Sequence, residues 1–538
     1  MLKCSDKLKR LENKTNQSDW LDMAGEWRMK SFRLCNMKSF RDSGEIEIKP
    51  LTIFVGRNSC GKSSLARFPV LIAQTFKNKV NTPLLLFGDM LDYGNYNDVV
   101  NRHIQGDMEF TLGFGKEIER YLYLQIRGNI RYYLNRDRDV EKIFHSIEKL
   151  DLKVRVTKPD KKMIVKEIQL YINGNLIYTM EYSDNHYSIN FSDLLENKQR
   201  MYSMELDFAD IQFQGFIPML GVDNIIENYI KSQTYSDDWK IKQLQALTEI
   251  PYRIFDTELR KKMSKKKWYS VWEGILLIKT IFIGISRYMD DYAEEMTYVG
   301  PFRENPKRTY RDSENNYENV GVRGENAGML LRQDWQNQKR LIKDVSRWFE
   351  KSMGYEISID DISENLYSLV VTNKLNDGLE EKDNLMDVGY GISQVLPIVT
   401  ELMAEKSVAD DRDQNKSSTK KNFVIEQPEL HLHPAAQAEL ADLLADAANL
   451  NRSRRIIVET HSEHLIRKLQ VLIADPNVPI DNDQVAIYYV EKNEEGESFI
   501  KKMEIAQNGQ FKEKWPSGFF DKGFELSTAL MMANRKRE

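Results

Sequence analysis

The chain has 538 residues, 41% of them hydrophobic and 30% charged, with a net charge of -5. This is a soluble globular composition with material for a large core, and its charge balance excludes a global positive field that would draw it to nucleic acid or membrane. The three cysteines, Cys4, Cys35 and Cys60, make no CxxC pair and no disulfide framework, so a reducing, cytoplasmic setting is expected.

Residues 1–24 are polar, lack an apolar signal core and read as a flexible N-terminus. Two strands around a turn follow, at 31–40 and 44–55, and the second runs into a glycine-rich loop and a helix over 63–74. From about 107 to 215 short alternating patterns read as antiparallel strands, among them YLYLQIRGNIRYYL (121–134) and KEIQLYINGNLIYTMEY (166–182). Asn173-Gly174 in the latter is a strong two-residue hairpin signal. The pattern turns helical over 220–295. The apolar run at 271–285 is broken by Glu273 and Lys279 and is too short to span a bilayer, so a buried helix and no membrane are expected. The basic run 260–268 reads first as a solvated helix face; the alternative is nucleic-acid contact, with Trp268 and Tyr269 beside it to stack on bases. After 298 strands and helices alternate, with apolar strands at 423–425, 456–458 and 485–490 and a polar loop at 409–421. Such alternation predicts a largely parallel, layered sheet. The expected division is an N-terminal lobe (25–219), a helical insertion (220–295), a C-terminal lobe (296–475) and a terminal segment (476–538).

Gly56-Arg57-Asn58-Ser59-Cys60-Gly61-Lys62-Ser63 satisfies GxxxxGK[ST] at every fixed position, between a strand and a helix. The glycines let the loop curl so that backbone N–H groups, with Ser64 opening the helix, face a phosphate. Lys62 offers a point charge to the β- and γ-phosphates of ATP, and Ser63 a hydroxyl to Mg2+. Residues 423–426 form an apolar strand ending in a carboxylate, so Glu426 is expected to hold the hydration shell of that Mg2+. Gln427 follows it, and an amide cannot take a proton from an attacking water. Either hydrolysis is slow, or Glu429 supplies the base. A second strand, 455–460, ends beside His461. Zinc held by His431, His433, His461 and His464 is a rival reading, but no cysteine accompanies them and His431 and His433 would point apart on an extended segment. Gly389, Gly391 and Ser393 form a glycine turn opening an apolar helix at 395–403.

In this order, P-loop, glycine turn, EQPELHLHP and ETHSEHLI, the chain resembles the ABC-type ATPases grouped with the OLD proteins and SMC heads. It is most similar to a subgroup of bacterial ATPases with a short C-terminal domain of unknown function, through YVGPFR at 298–303, EQPELHLHP and WPSGFFD at 515–521. The likeness covers 27–521. It implies a P-loop NTPase with an ABC-type head, in which a mixed or parallel sheet joins an antiparallel β subdomain and a helical insertion. It implies that His461 is a switch histidine reaching the γ-phosphate. It also implies that Gly389, Gly391 and Ser393 form a signature turn capping ATP held by the opposite subunit, hence a homodimer or an assembly of dimers. Relatives include the PtuA-like ATPases of Septu and retron anti-phage systems. By that analogy the partner is an HNH nuclease (PtuB-like), with a retron reverse transcriptase and its RNA/DNA product as a further candidate. The chain departs from the pattern at Gln427. It also lacks a clear Q-loop glutamine, for which Asn95 or Asn97 is the candidate substitute. An OLD-like nuclease is the main alternative, but Asp481-Asn482-Asp483 precedes its strand and reads as a turn. An SMC-type repair head would need a long coiled coil, and no sustained heptad is present.

Overall fold

The computed structural model describes residues 29–104, 106–125, 137–192, 194, 201–221, 267–374, 379–410, 422–450, 454–516, 526 and 528–532. Residues 1–24, residues 260–266 of the basic run, residues 411–421 of the polar loop and residues 517–521 of the terminal motif lie outside them. The N-terminal part carries β1 (Ser31–Met37), β2 (Phe40–Asp42), β3 (Ile46–Glu47), β4 (Leu51–Gly56), α1 (Lys62–Lys77) and the short α2 (Tyr96–Val99). Next come β5 (Met108–Phe114), α3 (Ile118–Gln125), α4 (Asp137–His145), β6 (Leu150–Thr157), β7 (Ile164–Ile172), β8 (Asn175–Ser183), β9 (His186–Ser192) and β10 (Met201–Asp207). A hairpin of β11 (Gln212–Gln214) and β12 (Ile217–Met219) precedes α5 (Lys267–Glu294). The C-terminal part has β13 (Met296–Val299), β14 (Tyr310–Arg311), α6 (Ala327–Gln336), α7 (Leu341–Met353), β15 (Tyr355–Ser363), β16 (Leu366–Lys374), β17 (Glu380–Asn384) and α8 (Tyr390–Asp410). It closes with β18 (Asn422–Glu426), α9 (Pro434–Asn449), β19 (Arg455–Thr460), α10 (Glu463–Ala474), β20 (Val485–Lys492) and β21 (Ser498–Met503).

The central sheet has the order β13-β18-β19-β4-β20-β21. Its first five strands are parallel and β21 is an antiparallel edge. Successive residues of β4 face opposite cores: Leu51, Ile53 and Val55 pack into one and Phe54 into the other. A parallel sheet covered on both faces needs apolar residues at every position, which is why 423–425 and 456–458 show no alternation. One core holds α1, α5 and the nine-stranded sheet β10-β9-β8-β7-β6-β5-β1-β2, to which β3 also pairs. The other holds α6 to α10 and the small sheet of β14 to β17, which the sequence patterns did not single out.

The Asn173-Gly174 hairpin forms as expected: both residues have positive φ, 50° and 78°, and join β7 to β8. One expectation is overturned. Residues 121–125 are helix, not strand, because Ile118 and Leu122 stand four apart and are both fully buried. The alternating Tyr and Leu imitate a strand, but packing decides. A Cβ on Gly284 of α5 would sit 2.5 Å from Leu122 Cδ2, so α3 and α5 approach with almost no gap. The described helix of the 220–295 segment therefore packs into the core of the antiparallel sheet. Among the described residues no helix is long and apolar enough to cross a membrane.

Candidate nucleotide site

The site lies where the carboxyl ends of β4, β18 and β19 meet the start of α1, the edge at which open α/β sheets bind ligands. Gly56 has φ of 150°, and a Cβ there would lie 2.1 Å from the carbonyl oxygen of Val490 on β20. No other residue fits. Arg57, Asn58 and Ser59 are exposed, and Ser59 has a left-handed φ of 59°. Cys60 is buried beneath the loop, where Ser498 Oγ of β21 donates to its carbonyl at 2.6 Å. Gly61 caps α1.

Lys62 is 3% exposed. Its Nζ donates to the Arg57 carbonyl at 2.7 Å, and among the described residues no carboxylate pairs with it. A buried ammonium held only by a carbonyl and, at 3.9 Å, the Cys60 sulfur of its own loop is an incomplete arrangement, and an incoming phosphate would complete it. An open cavity of about 420 Å³ lies against Ser59, Gly61, Ser63 and Ser64, with three cations, Lys38, Arg102 and Lys492, against one acid, Asp98, on its walls. Its size and charge suit a polyphosphate, so the residues present fit a nucleotide.

Two carboxylates stand side by side on adjacent strands, Glu426 on β18 and Glu459 on β19, in register. Ser63 Oγ donates to Glu459 Oε1 at 2.9 Å, whereas Glu459 Oε2 is buried without a partner. Burial, with Glu426 next to it, pushes the Glu459 carboxyl up to about 7. Glu426 is not joined to Ser63. Arg67, one turn further along α1, donates to both its oxygens at 2.6 and 2.7 Å, and Tyr298 OH donates to Oε1 at 2.6 Å. Ser63 thus meets Glu459, and not Glu426, the carboxylate expected to hold the hydration shell of the Mg2+. Nothing in the sequence separates the two carboxylates, because the choice depends on which strand sits next to β4.

Gln427 takes a left-handed φ of 46°, and its N–H donates to the Glu459 carbonyl at 2.7 Å. Arg303 of YVGPFR is buried and its guanidinium donates to the carbonyls of Glu426 and Gln427. Burial lowers Arg303 to about 10, which still leaves it charged at neutral pH. Glu429 is buried too, and Oε1 accepts the His461 N–H at 2.6 Å while Oε2 has no partner. Burial raises its pKa above the ordinary carboxylate range. His461 follows β19; burial, then the charge of Lys62, lowers it to about 4, so the ring is neutral at pH 7.

The other candidates are placed as follows. His433 caps α9, accepting from Ala435 N, and the His431 ring lies 6.2 Å from that of Tyr390. A Cβ on Gly391 would lie 2.7 Å from the His431 carbonyl, so the glycine turn packs directly on the loop after β18. Ser393 Oγ donates to the Tyr390 carbonyl at 3.0 Å, and Gly389 is exposed with open space around it. Asn95 spends its side chain capping α2 through Asn97 N, and Asn97 is exposed, so neither is drawn into the site. Tyr93 reaches it instead, its OH donating to Ser64 O at 3.3 Å. Asp481 Oδ1 accepts from the backbone N–H of Asp483 and Gln484, a turn before β20. Among the described residues no three His, Cys, Asp or Glu side chains converge to hold a metal.

A family model described as "AAA ATPase domain" matches residues 28–466. A second, described as a protein of unknown function (DUF3696), matches residues 480–526. No curated protein matches the chain. Among solved structures it is similar to an SMC head bound to the C-winged helix domain of ScpA, at 11% identity and a TM-score of 0.35, covering 89% of this chain and 98% of that one. It is also similar to an SMC head with an extended coiled coil, bound to the C-terminal domain of ScpA derived from Pyrococcus furiosus (11%, TM-score 0.34, 95% and 99% covered). A third is the SMC head domain from Thermotoga maritima (10%, TM-score 0.33, 89% and 100% covered). Since the first family match spans most of its length, and the β4 strand runs into the Gly56–Ser63 loop at the start of α1, the chain belongs to the AAA ATPase domain family and is a P-loop ATPase.

Proposed function

We propose that this protein is an ATP-gated switch: two copies sandwich ATP, hold it for long periods, and in doing so control a separate effector. The observation that carries this reading is the turn after β18. An amide, Gln427, occupies the place next to Glu426, and the nearest carboxylate beyond it, Glu429, is buried and turned to the His461 backbone. Residues 56–64 would hold the triphosphate, and Ser63 with one of the two neighbouring carboxylates, Glu426 or Glu459, would hold Mg2+. The metal, when bound, offsets phosphate charge. Lys62 would leave the Arg57 carbonyl for a phosphate oxygen. Neutral His461 would donate or accept one hydrogen bond at the γ-phosphate without adding charge. Gly389, Gly391 and Ser393 would cap the nucleotide of the partner subunit, since the helix they open presents its positive end there.

A long-lived nucleotide state suits a clamp or timer, whose two states differ in exposed surface and not in product. The resemblance to PtuA-like ATPases supports an HNH nuclease as the effector and anti-phage defence as the setting. Two experiments test this. Purification from the native operon should bring down a nuclease. The purified chain with ATP and Mg2+ or Mn2+ should leave DNA and RNA intact; robust cleavage lost on changing Asp481 and Asp483 would favour an OLD-like nuclease.

A further inference from the structure

Helix α1 presents two side chains, one turn apart, to two adjacent strands. Ser63 meets Glu459, and Arg67 meets Glu426. The consequences for a divalent cation differ sharply. Both oxygens of Glu426 are already occupied by three donors, a guanidinium fork and a tyrosine hydroxyl, all within 2.7 Å. Recruiting that carboxylate would mean breaking a two-pronged, buried ion pair. Glu459 is 2% exposed, keeps one oxygen without any partner, and touches only the hydroxyl expected to bind metal.

The distance fits as well. Mg2+ takes oxygen ligands at about 2.0–2.1 Å in an octahedron, so neighbouring ligands stand about 2.9 Å apart. Ser63 Oγ and Glu459 Oε1 are 2.9 Å apart. They could become adjacent ligands of one ion without moving, once the hydroxyl turns its hydrogen away. Mg2+ sites of this kind use one or two protein oxygens, with phosphates and waters filling the rest.

We propose that Glu459, and not Glu426, is the carboxylate that binds the Mg2+ of bound ATP together with Ser63, and that Arg67 holds Glu426 out of the coordination sphere. This rests on the ATP-site reading above. Glu426 then positions α1 against β13 and β18, while the strand adjoining β4 supplies the metal ligand.

The test uses the full chain, Mn2+ in place of Mg2+, and the free Mn2+ signal in electron paramagnetic resonance to measure metal affinity of the protein–ATP complex. A fluorescent ATP analogue in chelator measures metal-free nucleotide affinity separately. Glu459→Gln should weaken Mn2+ by about tenfold or more, the scale seen when metal-site groups are altered, and leave metal-free nucleotide affinity within about twofold. Glu426→Gln should leave Mn2+ affinity within about twofold, well under the same scale. Should Glu459→Gln fold poorly, Glu459→Asp, which withdraws the carboxylate by one methylene, should weaken Mn2+ in the same direction. Unchanged Mn2+ affinity in the Glu459 variants, or a loss confined to Glu426→Gln, would overturn the proposal. Failure of the underlying reading has a different signature: wild type and Lys62→Ala would bind the nucleotide analogue equally poorly or equally well.

Discussion

Arg67→Met removes the guanidinium from Glu426 while keeping much of the side chain's apolar length. The Glu426 side chain is 1% exposed, so the variant leaves a carboxylate in the core with only the Tyr298 hydroxyl as partner. Breaking one side of a buried ion pair costs about 3–5 kcal/mol. The Arg67 side chain is itself 31% exposed, so water can partly replace the lost donors, and the lower end, about 3 kcal/mol, is expected. Glu426→Gln alone should cost less, about 1–2 kcal/mol, because the stranded guanidinium can turn to solvent. The double variant should be no worse than Arg67→Met, which implies a coupling of at least about 1 kcal/mol between the two sites. Urea unfolding followed by circular dichroism, with midpoints and slopes compared across the four proteins, measures it. Strictly additive effects, or an Arg67→Met protein within about 0.5 kcal/mol of wild type, would refute the view that this pair is a buried structural latch.

Lys62→Ala should weaken ATP binding by about 100-fold or more, roughly 3 kcal/mol, in a fluorescent-nucleotide titration; undiminished affinity would remove the P-loop assignment. Hydrolysis should be slow, and if Glu429 is the residual base, Glu429→Gln should lower steady-state turnover by about 100-fold. Rapid turnover that survives that change would rule the role out. His461 is held neutral in the folded chain, with a pKa near 4 against an ordinary 6.5. The unfolded state therefore takes up a proton that the folded state does not as pH falls from about 7 towards 4, and stability drops across that window. His461→Asn should lose that part of the pH dependence, up to about 2 kcal/mol after allowing for partial exposure; identical pH–stability curves would show that the ring is not desolvated.

Much of this architecture is written in local sequence. The P-loop, the FVIE and IIVET strands and the Asn173-Gly174 turn each depend on neighbours a few residues apart, so spacing alone reveals them. What was not legible depends on strands distant in the chain coming together. Glu459 gains its place beside Ser63 from the β19–β4 pairing, and Ser498 reaches the P-loop from β21. Arg303 was visible only as part of a recurring string, and its bonds to the Glu426 and Gln427 carbonyls arise from the β13–β18 pairing. Arg67 carried a signal that was open to reading: it stands four residues after Ser63 and so shares its helix face. Helix α3 went the other way, since its alternating Tyr and Leu fit a strand until α5 packs against it.

The central claim is an ATP-held dimer, and multi-angle light scattering of the purified full chain tests it most directly. With Mg2+ and ATP, wild type should run at twice the mass it shows without nucleotide, and Lys62→Ala should stay at the single mass in both conditions. One unchanging monomer mass for wild type, with and without saturating ATP, would contradict the account.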